Sequence, residues 1–132
     1  MTTARCGFTL VEIMVVVGIL GIVSAVVLLP NVLRSRLNAN NSIAQATLKT
    51  ISNALEIYMI NNNAYPPDTD LLRAGAPPYL QTDFFDGQPH SGFNYTADTL
   101  ADYTYAITAA PLNANQGTRS FTVSTGGVLT AN

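Results

Sequence analysis

Glu12 is the residue whose chemistry stands out first. It is the only charged side chain between Phe8 and Leu29. An ionised carboxylate in apolar surroundings is costly unless a cation or hydrogen-bond donors meet it. The chemistry on offer is therefore an ion pair, and it points to assembly: Glu12 awaits a positive partner that another subunit supplies. The other reactive side chains are sparse. His90 is the sole histidine and sits in a Pro- and Gly-rich loop, where solvation is its ordinary fate. Cys6 is the sole cysteine, so no disulfide can form within the chain, and it precedes the apolar run instead of following it as a lipoprotein cysteine would. Asp83, Asp86, Asp98 and Asp102 could offer oxygens, but they lack the dense spacing of a calcium-binding loop. No Ser-His-Asp spacing or metal motif is present, so the reading is a non-enzyme with neither cofactor nor metal.

The element that must position Glu12 is a membrane-length helix. Phe8 to Leu29 is about 22 residues, or ~33 Å as a helix, enough to cross a ~30 Å hydrocarbon core. A secretory signal would have a shorter apolar run and a small-residue cleavage site. Here the run meets Leu28-Leu29-Pro30-Asn31 without one. A signal peptide and a plain anchor both leave Glu12 unexplained. Gly18, Gly21 and Ser24 permit close helix packing, and Gly18, Gly21 and Pro30 mark a stretch that could bend or unwind. Arg34 and Arg36 beyond the run, and Arg5 before it, argue for opposite orientations.

The remaining residues suffice for one small domain. Ala44, Leu48, Ile51, Leu55, Tyr58 and Met59 recur at helical steps, with Gln45, Lys49, Ser52, Asn53 and Glu56 largely opposite. This predicts an amphipathic helix over 31–61, ended by Asn61-Asn62-Asn63 and Tyr65-Pro66-Pro67. Residues 62–92 read as a loop with at most a helical turn at Asp70–Arg73. Alternating runs at Gly92–Thr96, Tyr103–Thr108, Arg119–Val123 and Val128–Leu129 predict an antiparallel sheet over 93–132. Tyr103, Tyr105, Ile107, Phe121 and Val123 would face the helix. The expected fold class is α+β. One lysine and five arginines are scattered against a net charge of −2, leaving no footprint for nucleic acid.

Gly7-Phe8-Thr9-Leu10-Val11-Glu12-Ile13-Met14-Val15-Val16-Val17, the apolar stretch to Pro30, and Ala54-Leu55-Glu56-Ile57-Tyr58 before Asn62-Asn63-Ala64-Tyr65-Pro66 together resemble the type IV pilin superfamily. That superfamily includes type IV pilins and the pseudopilins of type II secretion systems. The resemblance covers residues 5 to 66. It implies a leader, 1–7, cut by a prepilin peptidase between Gly7 and Phe8, with the new amine of Phe8 methylated. It implies an inner-membrane, single-pass helix over 8–30 and a globular domain over 31–132 in the periplasm or outside the cell. Subunits would leave the membrane to form a homopolymeric helical filament, driven by an assembly ATPase and a membrane platform, with the helix deforming between Gly21 and Pro30. The Phe8 amine would lie about four residues before Glu12. Pairing Glu12 of one subunit with the Phe8 amine of its neighbour would remove two desolvation penalties and fix axial register. Glycine at 7 permits the extended backbone that proteolysis needs.

Glu12–Val17, Leu29-Pro30-Asn31 and Asn62-Asn63-Ala64-Tyr65-Pro66-Pro67 look more like major pseudopilins. Those usually carry a calcium site near a Trp-Gly-x-Pro-Tyr passage, and this chain has no tryptophan. Many type IV pilins close the C-terminal loop with a disulfide, which one cysteine cannot do. A surface pilus and a secretion pseudopilus both stay open. The competing class is a membrane-anchored extracytoplasmic binding module that does not polymerise.

Overall fold

The structure is a computed structural model that describes residues 7–132, with the side chains of 27–30 outside the description. Most of the proposed leader, with Arg5 and Cys6, therefore lies outside the described residues. One helix, α1, runs Leu10–Asn62, 53 residues. Its start is capped: Thr9 Oγ1 accepts the backbone N–H of Glu12 at 3.2 Å. Its end is set by Asn63, which takes a left-handed φ of 58° and donates its N–H to the Met59 carbonyl at 2.8 Å. The backbone is helical through Gly18, Gly21 and Pro30. The chain divides into two compact units, residues 1–35 and 36–132.

In the second unit α1 is followed by a short 3₁₀ helix, Thr69–Leu72, and four strands: β1 (Phe93–Ala101), β2 (Thr104–Pro111), β3 (Phe121–Ser124) and β4 (Val128–Ala131). They form one antiparallel sheet in the order β1-β2-β3-β4. The expected α+β architecture is the observed one. The core joins Ala44, Leu48, Ile51 and Leu55 of α1 to Tyr105, Ile107, Phe121 and Val123 of the sheet.

Three details differ from the sequence expectation. Tyr103 is 71% exposed, because it falls in the β1–β2 turn, outside the alternation of β2. Phe93, Tyr95 and Ala109 take inward positions instead. The loop over 63–92 is not featureless: Tyr65, Leu72 and Leu80 are buried in the core, and the Leu80 N–H donates to the Leu72 carbonyl at 2.9 Å.

The β2–β3 connection is held to α1 by amides. Asn40 Nδ2 donates to the Gln116 carbonyl at 2.9 Å, and Asn41 Nδ2 to Thr118 Oγ1 at 2.8 Å. Between these contacts, Gly117 is buried where a Cβ would overlap Phe93 Cζ and lie 2.8 Å from Pro111 Cβ. Gly117→Ala is therefore expected to lower stability by about 1–3 kcal/mol, the range for overpacked cores, read from urea denaturation of the full chain in detergent. Unchanged stability would mean that this connection yields freely.

Candidate functional site

The first candidate site is the start of α1. Glu12 stands three residues after the cap, in the Thr-x-x-Glu spacing that marks helix N-termini. Thr9 was not singled out from the sequence, although that spacing was there to find it. Its hydroxyl fixes the first turn and so sets where the Glu12 side chain leaves the helix. The large apolar side chains around Glu12 are exposed on every face of the isolated chain, from Phe8 (77%) through Val26 (69%). An apolar surface that goes all round a helix belongs in lipid or inside an assembly. The described part of this helix includes a span long and apolar enough to cross a membrane. Gly7 and Phe8 precede the helix, while Gly18 and Gly21 lie within it, with open space where a Cβ would sit. Pro30 is on the same helix, its side chain outside the description.

The second site is a polar node in the globular unit that sequence periodicity placed on the outer face. Glu56 Oε1 accepts from Tyr65 Oη at 3.0 Å, Tyr105 Oη at 3.1 Å and the Gly126 backbone N–H at 3.1 Å. With Tyr105 donating to the carboxylate, Ser52 Oγ, 2.8 Å away, donates to Tyr105. Ser52 is only 2% exposed, so it too departs from the outer face expected for it. The rings of Tyr65 and Tyr105 meet edge to face at 4.9 Å. Gly126 and Gly127 make this possible. Their φ values of 79° and 73° turn β3 into β4 and aim the Gly126 N–H at Glu56. One carboxylate thus ties α1 to the post-helix loop, β2 and the β3–β4 turn.

Burial, then the bond to Glu56 and its charge, pushes the Tyr65 hydroxyl up to about 12. Burial also raises Tyr95 and Tyr105. Between pH 10 and about 12 the unfolded chain releases the Tyr65 proton while the folded chain keeps it. Rising pH in that window therefore favours unfolding, and Tyr65 should account for a stability loss on the order of 2 kcal/mol. Tyr65→Phe should flatten part of this slope in denaturation curves taken from pH 9 to 12, with Tyr95 and Tyr105 supplying the remainder. An equally steep slope in that variant would dissociate Tyr65 from the effect.

The loop acids do not converge on a metal. Asp83 pairs with Arg73 and accepts the Phe85 N–H at 3.0 Å. Asp86 accepts from the Gln88 N–H at 2.8 Å and meets His90 Nε2 at 3.1 Å. The Gln88 bond first, and His90 after it, hold the Asp86 carboxyl below its ordinary range. Asp98 accepts from Thr96 Oγ1. No group of three or more His, Cys, Asp or Glu side chains suited to a metal occurs among the described residues. This donor set does not fit a calcium ion, which wants six to eight converging oxygens. His90 is no freely solvated side chain. It lies between Phe84 and Tyr95, with ring centroids at 5.3 and 6.3 Å, and pins the loop to β1 through paired backbone bonds with Phe93.

Comparison with known proteins bears on the N-terminal site. Residues 2–28 match the family described as the prokaryotic N-terminal methylation motif. The chain is 46% identical over 70 residues to type II secretion system core protein G of Pseudomonas aeruginosa, a match covering 53% of this chain and 49% of that protein. It is 42% identical over 59 residues to the type IV wide pilus major component PilA4 of Thermus thermophilus, covering 45% of this chain and 44% of that one. The chain thus spans about half the length of the curated relatives it matches. The fold is similar to a crystal structure of the non-core minor pilin PilV of Neisseria meningitidis, with TM-score 0.50 and 18% identity, over 75% of this chain and 88% of that one. The methylation motif, the sequence kinship of its helix and the long helix packed on a four-stranded antiparallel sheet agree, and together they support the type IV pilin superfamily for this chain.

Proposed function

We propose that this pilin-like protein is the repeating structural subunit of a helical filament, a type IV pilus or a type II secretion pseudopilus. Residues 1–7 are a leader that prepilin peptidase removes after Gly7, and Phe8 is then N-methylated. Residues 8–30 hold the subunit in the inner membrane, with the globular domain, 31–132, on the periplasmic side. An assembly ATPase and membrane platform extract subunits into the filament, where Glu12 pairs with the Phe8 amine of a neighbour. Gly18, Gly21 and Pro30 let the helix deform as subunits pack.

One observation carries this reading. A capped helix exposes apolar side chains on every face, and its only charge between Phe8 and Leu29 is Glu12, placed beside the amine that processing would create. A membrane alone would satisfy the apolar surface but not the carboxylate. A second subunit satisfies both.

Intact mass and N-terminal fragmentation of the protein from its native membrane test the processing step. The expected chain begins at N-methylated Phe8. An intact Met1 in cells with active prepilin peptidase would sink it, leaving an anchored module that does not polymerise.

A further inference from the structure

Arg119 stands out among the cations of the globular unit. Arg73 is paired with Asp83, whereas Arg36, Lys49 and Arg119 have no ion-pair partner among the described residues, and of these Arg119 is the one that lines a groove. It lines an open groove of about 440 Å³ between α1 and the β3–β4 edge, together with Asn38, Asn41, Gln45, Leu129 and Thr130. The groove is therefore a guanidinium set among amides and hydroxyls, Ser42 and Thr118 included, with an apolar floor that Leu129 and Phe121 share. That chemistry suits a carboxylate carried on a short polar or aromatic segment.

Such a segment exists at the other end of the same unit. The β1–β2 turn presents Asp102 and Tyr103, both exposed, and neither side chain has a hydrogen-bond or ion-pair partner among the described residues. The turn is anchored by its backbone only: the Tyr65 N–H donates to the Asp102 carbonyl at 2.9 Å, just past the end of α1. Arg119 follows Thr118, which is bonded to Asn41 near the opposite end of the unit's helix. Between Asn41 and Asn62, α1 rises about 30 Å. An acidic-aromatic turn and a cationic groove thus lie at opposite ends of one unit. They cannot meet within a chain, and they are different surfaces. Contact between two different surfaces of identical subunits is heterologous, the type that propagates into an open helical filament.

We propose that the Arg119 groove of one subunit receives the Asp102-Tyr103 turn of another, a head-to-tail contact between globular domains. It rests on the filament reading above and adds a second charged contact to the one at Glu12. Because both partners are exposed, its role is to select register and speed docking as well as to add affinity.

Charge exchange tests it in the full-length protein in cells that assemble the filament. Arg119→Glu and Asp102→Lys should each cut sheared filament yield about tenfold, at unchanged subunit level. The doubly exchanged protein should recover most of the yield. In a Cys6→Ser background, Arg119→Cys with Asp102→Cys should give an oxidation-dependent ladder of subunits. Wild-type yields from both single variants, or a double variant no better than the worse single one, would overturn the contact while leaving the filament reading intact. Arg119→Glu lowering yield with no rescue and no ladder would assign the groove to another anion, such as a lipid headgroup, and overturn it too. A wild-type chain that never polymerises would overturn the filament reading, and this contact with it.

Discussion

On the filament reading proposed above, Glu12→Val should abolish polymerisation while leaving membrane insertion and cleavage after Gly7 intact. Valine matches its neighbours Val11, Val15, Val16 and Val17, so the helix and its fit to lipid are not disturbed. What would disappear is the carboxylate proposed to meet the amine of Phe8 inside an apolar bundle. An amine left there without a partner costs roughly 3–5 kcal/mol per contact, or about 10²- to 4 × 10³-fold in the equilibrium for adding a subunit. The penalty recurs at every subunit, so the filament fails as a whole. Sheared filament yield, with membrane-bound mature subunit as the control, reads the effect. Normal yield would sink the ion-pair account. Glu12→Gln is the finer probe. It keeps size and hydrogen-bonding capacity but not charge, and should fall between wild type and valine.

Glu56→Leu is expected to be strongly damaging to the globular unit, lowering its stability by about 2–4 kcal/mol. The carboxylate oxygen accepts three hydrogen bonds, two from phenols in the core region and one from a backbone N–H. Leucine fills much of the space but removes the acceptor: the Tyr65 hydroxyl, on a residue 4% exposed, loses its partner, Tyr105, 1% exposed, keeps only Ser52, and the exposed Gly126 N–H turns to water. A buried donor without a partner costs about 1–3 kcal/mol. The loss is a large fraction of the roughly 5–15 kcal/mol that keeps a domain folded. Chemical denaturation of the full chain in detergent would measure it. A cost below 1 kcal/mol would show that the phenols find water and that the node is dispensable. Glu56→Gln should lie well above Glu56→Leu, since the amide oxygen still accepts, though without the charge that strengthens each bond.

The two predictions concern two carboxylates that differed in legibility. Glu12 stood out from the chain alone because its setting is local: one charge in an apolar run, inside the stretch that matches the methylation motif. The helical stripe from Ala44 to Leu55 and the strands were readable for the same reason, since period and alternation are properties of neighbours in sequence. Glu56 was not. By periodicity it lies away from the apolar stripe, but its partners are 49 and 70 residues away at Tyr105 and Gly126. Only folding brings them together, and only then is a polar face turned inward.

Tyr103 and His90 make the same point from opposite directions. Alternation put Tyr103 in the sheet, yet the turn between β1 and β2 claimed it and pushed it outward. Composition left His90 in solvent, yet Phe84, Tyr95 and Asp86 gathered around it. Neither outcome depends on the residue's own propensity; each follows from where a strand starts or a loop packs. The sequence by itself determined the membrane-length apolar helix, the order of helix and strands, the placement of Glu12 within the methylation motif, and so the kinship with type IV pilins. The tertiary structure decided which polar side chains lock the domain, which acids are already paired, and which charges stay free at opposite ends. Those outcomes depend on contacts between residues far apart in the chain, which no local pattern encodes.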